Sequence, residues 1–256
     1  MSDSEKTDDA LLPALVSSPD MLTRLKDRTD ARIALGRARS GLPTRPNLKF
    51  ELDHAMARDA VYSELDVEGL KASFKSLGFE PIVVKSQTGD RTNYLARPDL
   101  GKLLDVDDRH ELETEAGGEL VILIADGLSA TAVNLNAAAT VEALKTVCDV
   151  GMSLVIATGA RVALGDKVAV ALSSENVLVF IGERPGLSAA DSLGAYFTHK
   201  PREDTADSER FCVSNIRDGG LKPQDAARKI ADLIRKAVDR GYSGVTKRDG
   251  PKQIED

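Results

Sequence analysis

Tryptophan is absent from this sequence, and Tyr and Phe together make up only 4% of its 256 residues. Any core must therefore rest on Ala, Val, Leu and Ile. The overall hydrophobic share of 42% is ordinary for a globular chain of one large domain or two small ones. Cysteine is scarce. Cys148 and Cys212 form no metal or redox spacing, so a reduced, cytoplasmic chain is the default expectation. Basic charge is outweighed: 34 Lys and Arg against 41 Asp and Glu leave a net charge of −7. That balance argues against nucleic acid as a partner. No apolar run approaches the roughly 20 residues that span a bilayer, so no membrane association is expected. The acidic start, Met1-Ser2-Asp3-Ser4-Glu5, does not read as a secretory signal.

Catalytic motifs are missing as well. No Gly-x-Gly-x-x-Gly follows an apolar run, and no phosphate-binding lysine loop is present. The histidines His54, His110 and His199 show no zinc spacing. Gly127-Leu128-Ser129-Ala130-Thr131 approaches a nucleophile elbow but lacks its second glycine, so Ser129 reads as a helix cap. Asp108-Arg109-His110 resembles the start of a cobalt-ligating Asp-x-His loop, but no glycine stands three residues past His110. No catalytic and no metal-ligating residue is assigned.

What is present is a rhythm. Apolar runs at 120–125, 153–157 and 177–181 alternate with helical stretches reaching Val147 and covering 162–172. Strand-helix-strand-helix-strand predicts a parallel sheet with right-handed crossovers. Each run ends in a polar, Gly-containing loop, so the three loops should gather on one sheet edge. The last of them, Gly182-Glu183-Arg184-Pro185-Gly186, reads either as a rigid ligand-facing loop or as an ordinary turn with a solvated Glu-Arg pair.

The flanks complete the outline. Residues 1–10 are polar, and Leu11, Leu12, Leu15 and Val16 form a short apolar stripe. Six arginines and lysines between 24 and 39 make a basic arm, either a solvated face or a reach toward an acidic partner. Helices are expected over 50–62 and 67–77, a strand over 81–85, a helical turn at 98–104 and a loop over 105–118. Asn134-Leu135-Asn136 marks a possible helix break. Residues 188–195 suggest a helical turn, 196–198 and 211–213 short strands, and 223–240 a final amphipathic helix stopped by Gly241. The fold class is α/β: a C-terminal, Rossmann-like domain with a parallel sheet flanked by helices, residues 117–256. A smaller, mainly helical domain, 23–116, precedes it, after a flexible segment, 1–22.

Several stretches, taken in order, resemble one family. They are Ala31-Arg32-Ile33-Ala34-Leu35-Gly36-Arg37 with Ser40-Gly41-Leu42-Pro43-Thr44; Leu52-Asp53-His54-Ala55; and Tyr94-Leu95-Ala96-Arg97-Pro98-Asp99. Ile124-Ala125-Asp126-Gly127-Leu128-Ser129-Ala130, Arg161-Val162-Ala163-Leu164-Gly165-Asp166, Ile181 through Leu187, and Cys212-Val213-Ser214-Asn215-Ile216-Arg217 continue the series. Together they are similar to the small (light) subunit of ethanolamine ammonia-lyase. Departures from the family pattern are Arg39, where a small residue is usual, Thr158-Gly159-Ala160 before the arginine, and Ser173-Ser174, where Gly-Ala is commoner.

The resemblance implies an adenosylcobalamin-dependent conversion of ethanolamine to acetaldehyde and ammonia, in ethanolamine catabolism. It implies a catalytic large subunit as partner, within a higher-order hetero-oligomer. Residues 23–116 would contact that partner, and the cofactor would sit at the interface with its own base on cobalt. Carried over position by position, Val162, Glu183 and Cys212 would contact the cofactor.

Overall fold

The computed structural model describes residues 24–26, 28, 32–33 and 35–245. The stripe Leu11, Leu12, Leu15 and Val16 and the tail 246–249 lie outside the described residues. The chain divides into two compact units, Met1–Met56 and Ala57–Asp256.

In the first unit, Ala38 and Gly41 exchange backbone hydrogen bonds of 2.9 and 3.1 Å around a tight turn. Arg39 sits inside it at φ +56°, the left-handed region that costs a side chain more than glycine. That accounts for the small residue expected there. Helix α1, Thr44–Tyr62, follows. Arg32 of the basic arm donates to Asp53 at 2.6 Å, with its guanidinium 5.6 Å from the Phe50 ring. One cation of that arm is thus held within its own unit. Leu48, Leu52 and Met56 stand four apart on one face of α1 and are all exposed.

The second unit is built on a six-stranded sheet in the order β1-β3-β2-β4-β5-β6. The strands are β1 Ile82–Lys85, β2 Leu120–Ala125, β3 Met152–Thr158, β4 Asn176–Gly182, β5 Leu193–His199 and β6 Phe211–Ile216. Every residue of β2 is buried. Its alternate side chains go to opposite faces of the sheet. Leu120, Ile122 and Ile124 pack with helices α2 (Val67–Ser76), α5 (Ala130–Val147) and α7 (Pro223–Arg240). Val121, Leu123 and Ala125 pack with α4 (Val106–Leu112) and α6 (Leu164–Ala171). Gly165 lets α6 press onto the sheet, since a Cβ there would lie 2.3 Å from Val179.

The α/β class and the parallel pairing of the three apolar runs hold. The fully parallel sheet does not: β5 pairs antiparallel with β4, and β6 with β5. The expected helical turn at 188–195 is replaced by a Gly186–Ala189 turn and the start of β5. Pairing along the whole length of β4 outweighs the local helical preference. The sheet also takes β1, from residues before 117, so it is not confined to the expected C-terminal domain. The helix break at Asn134-Leu135-Asn136 does not occur. Those amides serve neighbouring loops instead: Asn134 bonds the carbonyl of Glu64 and the N–H of Asp66, and Asn136 the carbonyl of Asp191. The charged stretch after 105 forms α4, capped by Asp105 and anchored by fully buried Leu112. A further short helix, α3 (Arg91–Ala96), is capped by Asp90, which accepts from Asn93 N–H at 2.8 Å. Ser173 turns the chain after α6 at φ +55°, which is why glycine is commoner there.

His199, at the end of β5, donates its backbone N–H to Ser243 at 3.0 Å, and its ring Nδ1 lies 2.7 Å from Asn176 Oδ1. Burial, with Lys200 nearby, lowers its pKa below the ordinary 6.5. The unfolded chain therefore binds this proton more readily. The associated stability is present above about pH 6.5 and is lost on acidification. Thermal melts across that range should show a falling melting temperature, with a shallower fall in His199→Gln. Identical pH slopes would clear His199 of the effect.

Candidate functional site

The loops after β2, β3 and β4 meet on one edge, the carboxyl ends of the parallel strands, where ligands bind in open α/β sheets. Asp126 ties the first two loops together. Its Oδ1 accepts from the N–H groups of Gly127 and Ala160, each at 2.9 Å, and its Oδ2 from Gly159 N–H at 2.9 Å. Burial pushes its carboxyl pKa up, against the pull of those N–H groups and of Arg91. Gly127 takes φ +59°, and Leu128 N–H donates to the Gly182 carbonyl at 2.9 Å. A Cβ on Gly182 would lie 2.0 Å from the Ser129 carbonyl oxygen, so only glycine lets the first and third loops close up. Ser129 caps α5, accepting from Ala132 N–H at 3.2 Å and donating to the Ala190 carbonyl at 2.7 Å. It is fully buried and has no role as a nucleophile.

Val162 and Glu183 border one hollow of about 430 Å³, together with Arg161, Ile181 and Tyr196. Glu183 is braced. Its Oε2 accepts from the Ser192 hydroxyl and from Asn215 N–H at 3.3 Å, and its own N–H donates to the Ser192 carbonyl at 3.0 Å. Among the described residues nothing bonds its Oε1. Cys212 pairs in register with Tyr196 across β5 and β6. Cys212 is an exposed residue, but desolvation raises its thiol pKa and Glu183 adds to the rise, against the lowering pull of a hydrogen bond with Tyr196. The thiol is therefore a neutral, weak donor rather than an activated nucleophile. Burial also pushes the Tyr196 hydroxyl up, with Cys212 and Glu183 contributing. The structure thus gathers Val162 and Glu183 directly and Cys212 through Tyr196.

A second hollow, of about 580 Å³, is also bordered by Tyr94. The guanidinium carbons of Arg91 and Arg161 lie 4.6 and 4.1 Å from the Tyr94 ring centre. Tyr94 is buried and donates to the Ala160 carbonyl at 3.3 Å. Arg161 is fixed by its N–H to the Gly101 carbonyl at 2.8 Å and by Nη2 to the Tyr94 carbonyl at 3.1 Å. Arg91 Nη2 and Arg161 Nε are closed off from solvent, and among the described residues nothing bonds them. Buried donors are rarely left so.

A family model described as "Ethanolamine ammonia-lyase light chain (EutC)" matches residues 19–248. The chain belongs to that light-chain family. An ethanolamine ammonia-lyase small subunit of Rhodopseudomonas palustris (strain BisA53) is 47% identical, over 89% of this chain and 90% of its own length. One from Bradyrhizobium diazoefficiens is 46% identical, over 93% of both chains. One from Xanthomonas campestris pv. campestris (strain B100) is 44% identical, over 90% and 88%. The family is the small subunit of a lyase, which agrees with a Ser129 spent on capping.

Sequence reasoning about this light chain missed Asp126, Tyr94, Tyr196 and the two orphaned arginines. Asp126 did stand in a quoted stretch, directly before a turn glycine, and a carboxylate at a strand end is a signal for loop bracing. Tyr94 and Arg161 also lay in quoted stretches, but nothing local says that they meet 67 residues apart. Among the described residues no helix is long and apolar enough to cross a membrane.

Proposed function

We propose that this chain is the small subunit of an adenosylcobalamin-dependent ethanolamine ammonia-lyase, holding one side of the cofactor where it meets a catalytic large subunit. The observation that carries the reading is the gathering of Val162, Glu183 and the Tyr196–Cys212 pair around one hollow at the carboxyl edge of the sheet. Those residues fit a cobalamin. Val162 and Ile181 offer apolar contact to a flat macrocycle. The unbonded Oε1 of braced Glu183 accepts N–H groups from the amides on the corrin rim. Arg161 borders the same hollow. When bound, the cobalamin supplies the radical chemistry through its Co–C bond. The chain's own residues bind and orient it.

The large subunit is the second half of this reading. The exposed stripe Leu48, Leu52 and Met56 on α1 suits a helix that docks on a partner. Co-expression with an ethanolamine ammonia-lyase large subunit tests the whole. A stable complex that shows cobalamin absorbance after gel filtration, and releases ammonia from ethanolamine only when both chains are present, is the expected result. Assembly without cobalamin absorbance, or activity in the isolated chain, overturns the reading.

A further inference from the structure

Two supports hold the carboxylate of Glu183, and neither borders the hollow that Glu183 lines. Ser192 is buried, gives its hydroxyl to Oε2, and accepts the Glu183 backbone N–H at 3.0 Å. Asn215 gives its backbone N–H to the same oxygen at 3.3 Å. It does so from φ +61°, a left-handed conformation that asparagine tolerates better than most residues.

Arg217 joins the two supports. Its Nε donates to Asn215 Oδ1 at 2.8 Å, and its Nη1 lies 3.8 Å from Oδ1 of Asp191, the residue before Ser192. The Arg217 side chain is only 13% exposed, so these contacts are largely shielded from water. The main chain nearby is fixed too. Leu221 N–H donates to the Asn215 carbonyl at 2.8 Å, and Arg217 N–H to the Leu221 carbonyl at 3.1 Å. The circuit of Glu183, Ser192, Asp191, Arg217 and Asn215 thus closes on itself. Gly194 leaves the carboxylate its room, since a Cβ there would lie 3.1 Å from Glu183 Cγ and Oε1. The circuit holds Oε2 and leaves Oε1 to a ligand.

We propose that Arg217 is a positioning residue for cofactor binding: by holding Asn215 and Asp191 it sets the Glu183 carboxylate before a ligand arrives. The inference rests on the cobalamin reading above and concerns a residue that does not border the hollow. A free glutamate loses rotamer freedom when it engages a ligand, whereas a preset one has already lost it on folding. Arg217 needs no contact with the cofactor and takes no part in the chemistry. Its rigid, planar fork suits two acceptors at fixed places better than an ammonium on a flexible stem.

The test is a double-mutant cycle on the assembled two-subunit complex, with cyanocobalamin affinity read by equilibrium spectroscopic titration. Arg217→Met should weaken binding about three- to tenfold when Glu183 is present. In Glu183→Ala, where no carboxylate is left to position, the same substitution should cost less than about twofold. Arg217→Lys keeps the charge and should lose less than Arg217→Met. The same fold-loss in both backgrounds means that Arg217 acts on the fold at large, and it overturns the proposal. So does no loss in either background, or an Arg217→Lys complex as weak as Arg217→Met. If Arg217→Met does not assemble, Ser192→Ala removes the other support and runs the same cycle with the same two outcomes. A wild-type complex that binds no cobalamin marks the failure of the cobalamin reading, and a Glu183→Ala complex that binds as tightly as wild type removes Glu183 from it. In either case this inference falls as well. Additive losses beside a weakened Glu183→Ala strike this inference alone.

Discussion

Glu183→Ala should weaken cobalamin binding by the assembled complex by about ten- to a hundredfold, the loss expected when a charged hydrogen-bond acceptor is removed from a binding site. The expectation comes from the two oxygens of one carboxylate. Oε2 is taken by the Ser192 hydroxyl and Asn215 N–H, which lash the end of β4 to the start of β5 and the end of β6. Oε1 remains to accept a ligand donor. Alanine removes both functions, so some loss of stability, about 1–2 kcal/mol, accompanies the loss of binding. Glu183→Gln separates them. The amide oxygen can keep Ser192 and Asn215, while an NH₂ group takes the place of the free oxygen and meets donors with a donor. Glu183→Gln should therefore melt close to wild type and yet bind cobalamin nearly as poorly as Glu183→Ala. Normal affinity in either variant, with assembly intact, removes Glu183 from the site.

The second large effect concerns stability. Arg210 and Asp166 form a two-pronged ion pair at 2.6 and 2.7 Å, with side chains 2% and 0% exposed. Arg210 also bonds the Thr198 hydroxyl at 3.0 Å and the Thr205 carbonyl at 3.1 Å. Desolvation is the main cause of the raised Asp166 pKa, opposed by Arg210. Breaking such a pair costs about 3–5 kcal/mol, because the surviving charge is left buried. That is a large part of the roughly 5–15 kcal/mol by which a domain is stable.

The two halves of the pair should behave differently. In Asp166→Ala the arginine cannot shed its proton, so the loss stays at every pH. In Arg210→Met the lone carboxyl can take up a proton. Its folded pKa lies above the unfolded value, so the folded state binds the extra proton, and the deficit shrinks as pH falls through that raised pKa. Denaturant titrations at several pH values distinguish the two. A pH-independent deficit in both, or a loss under about 1 kcal/mol in either, would sink the account. The pair matters to the rim. Asp166 stands four residues after Val162, and Arg210 two before Cys212, so one buried ion pair holds together the segments that carry both.

Much of the scaffold was legible because burial leaves a local signature. Residues 120–125 and 177–181 are unbroken apolar runs because both faces of β2 and β4 are covered. The stripe Ala226, Ala227, Ile230, Ala231, Ile234 and Ala237 announced α7, since one helix face must meet the core. Ser129 before an apolar stretch announced a cap. The meeting of three loops on one edge followed from parallel order alone, without any distance being known. The resemblance to a family added Val162, Glu183 and Cys212 as candidates, which the residues on their own did not single out.

Pairings between distant residues were decided only by the tertiary structure. The antiparallel turn of β5 back along β4 depends on seven partnered positions, and its residues carry no mark of strand direction. Asp166 and Arg210 lie 44 residues apart and look like ordinary charged positions. Arg91 Nη2, without a partner among the described residues, owes that to its place in the fold and not to any local sequence mark. Sequence periodicity reports how much of each segment is covered. Which groups then face one another is set by how the covered segments stack, and that is a property of the whole fold.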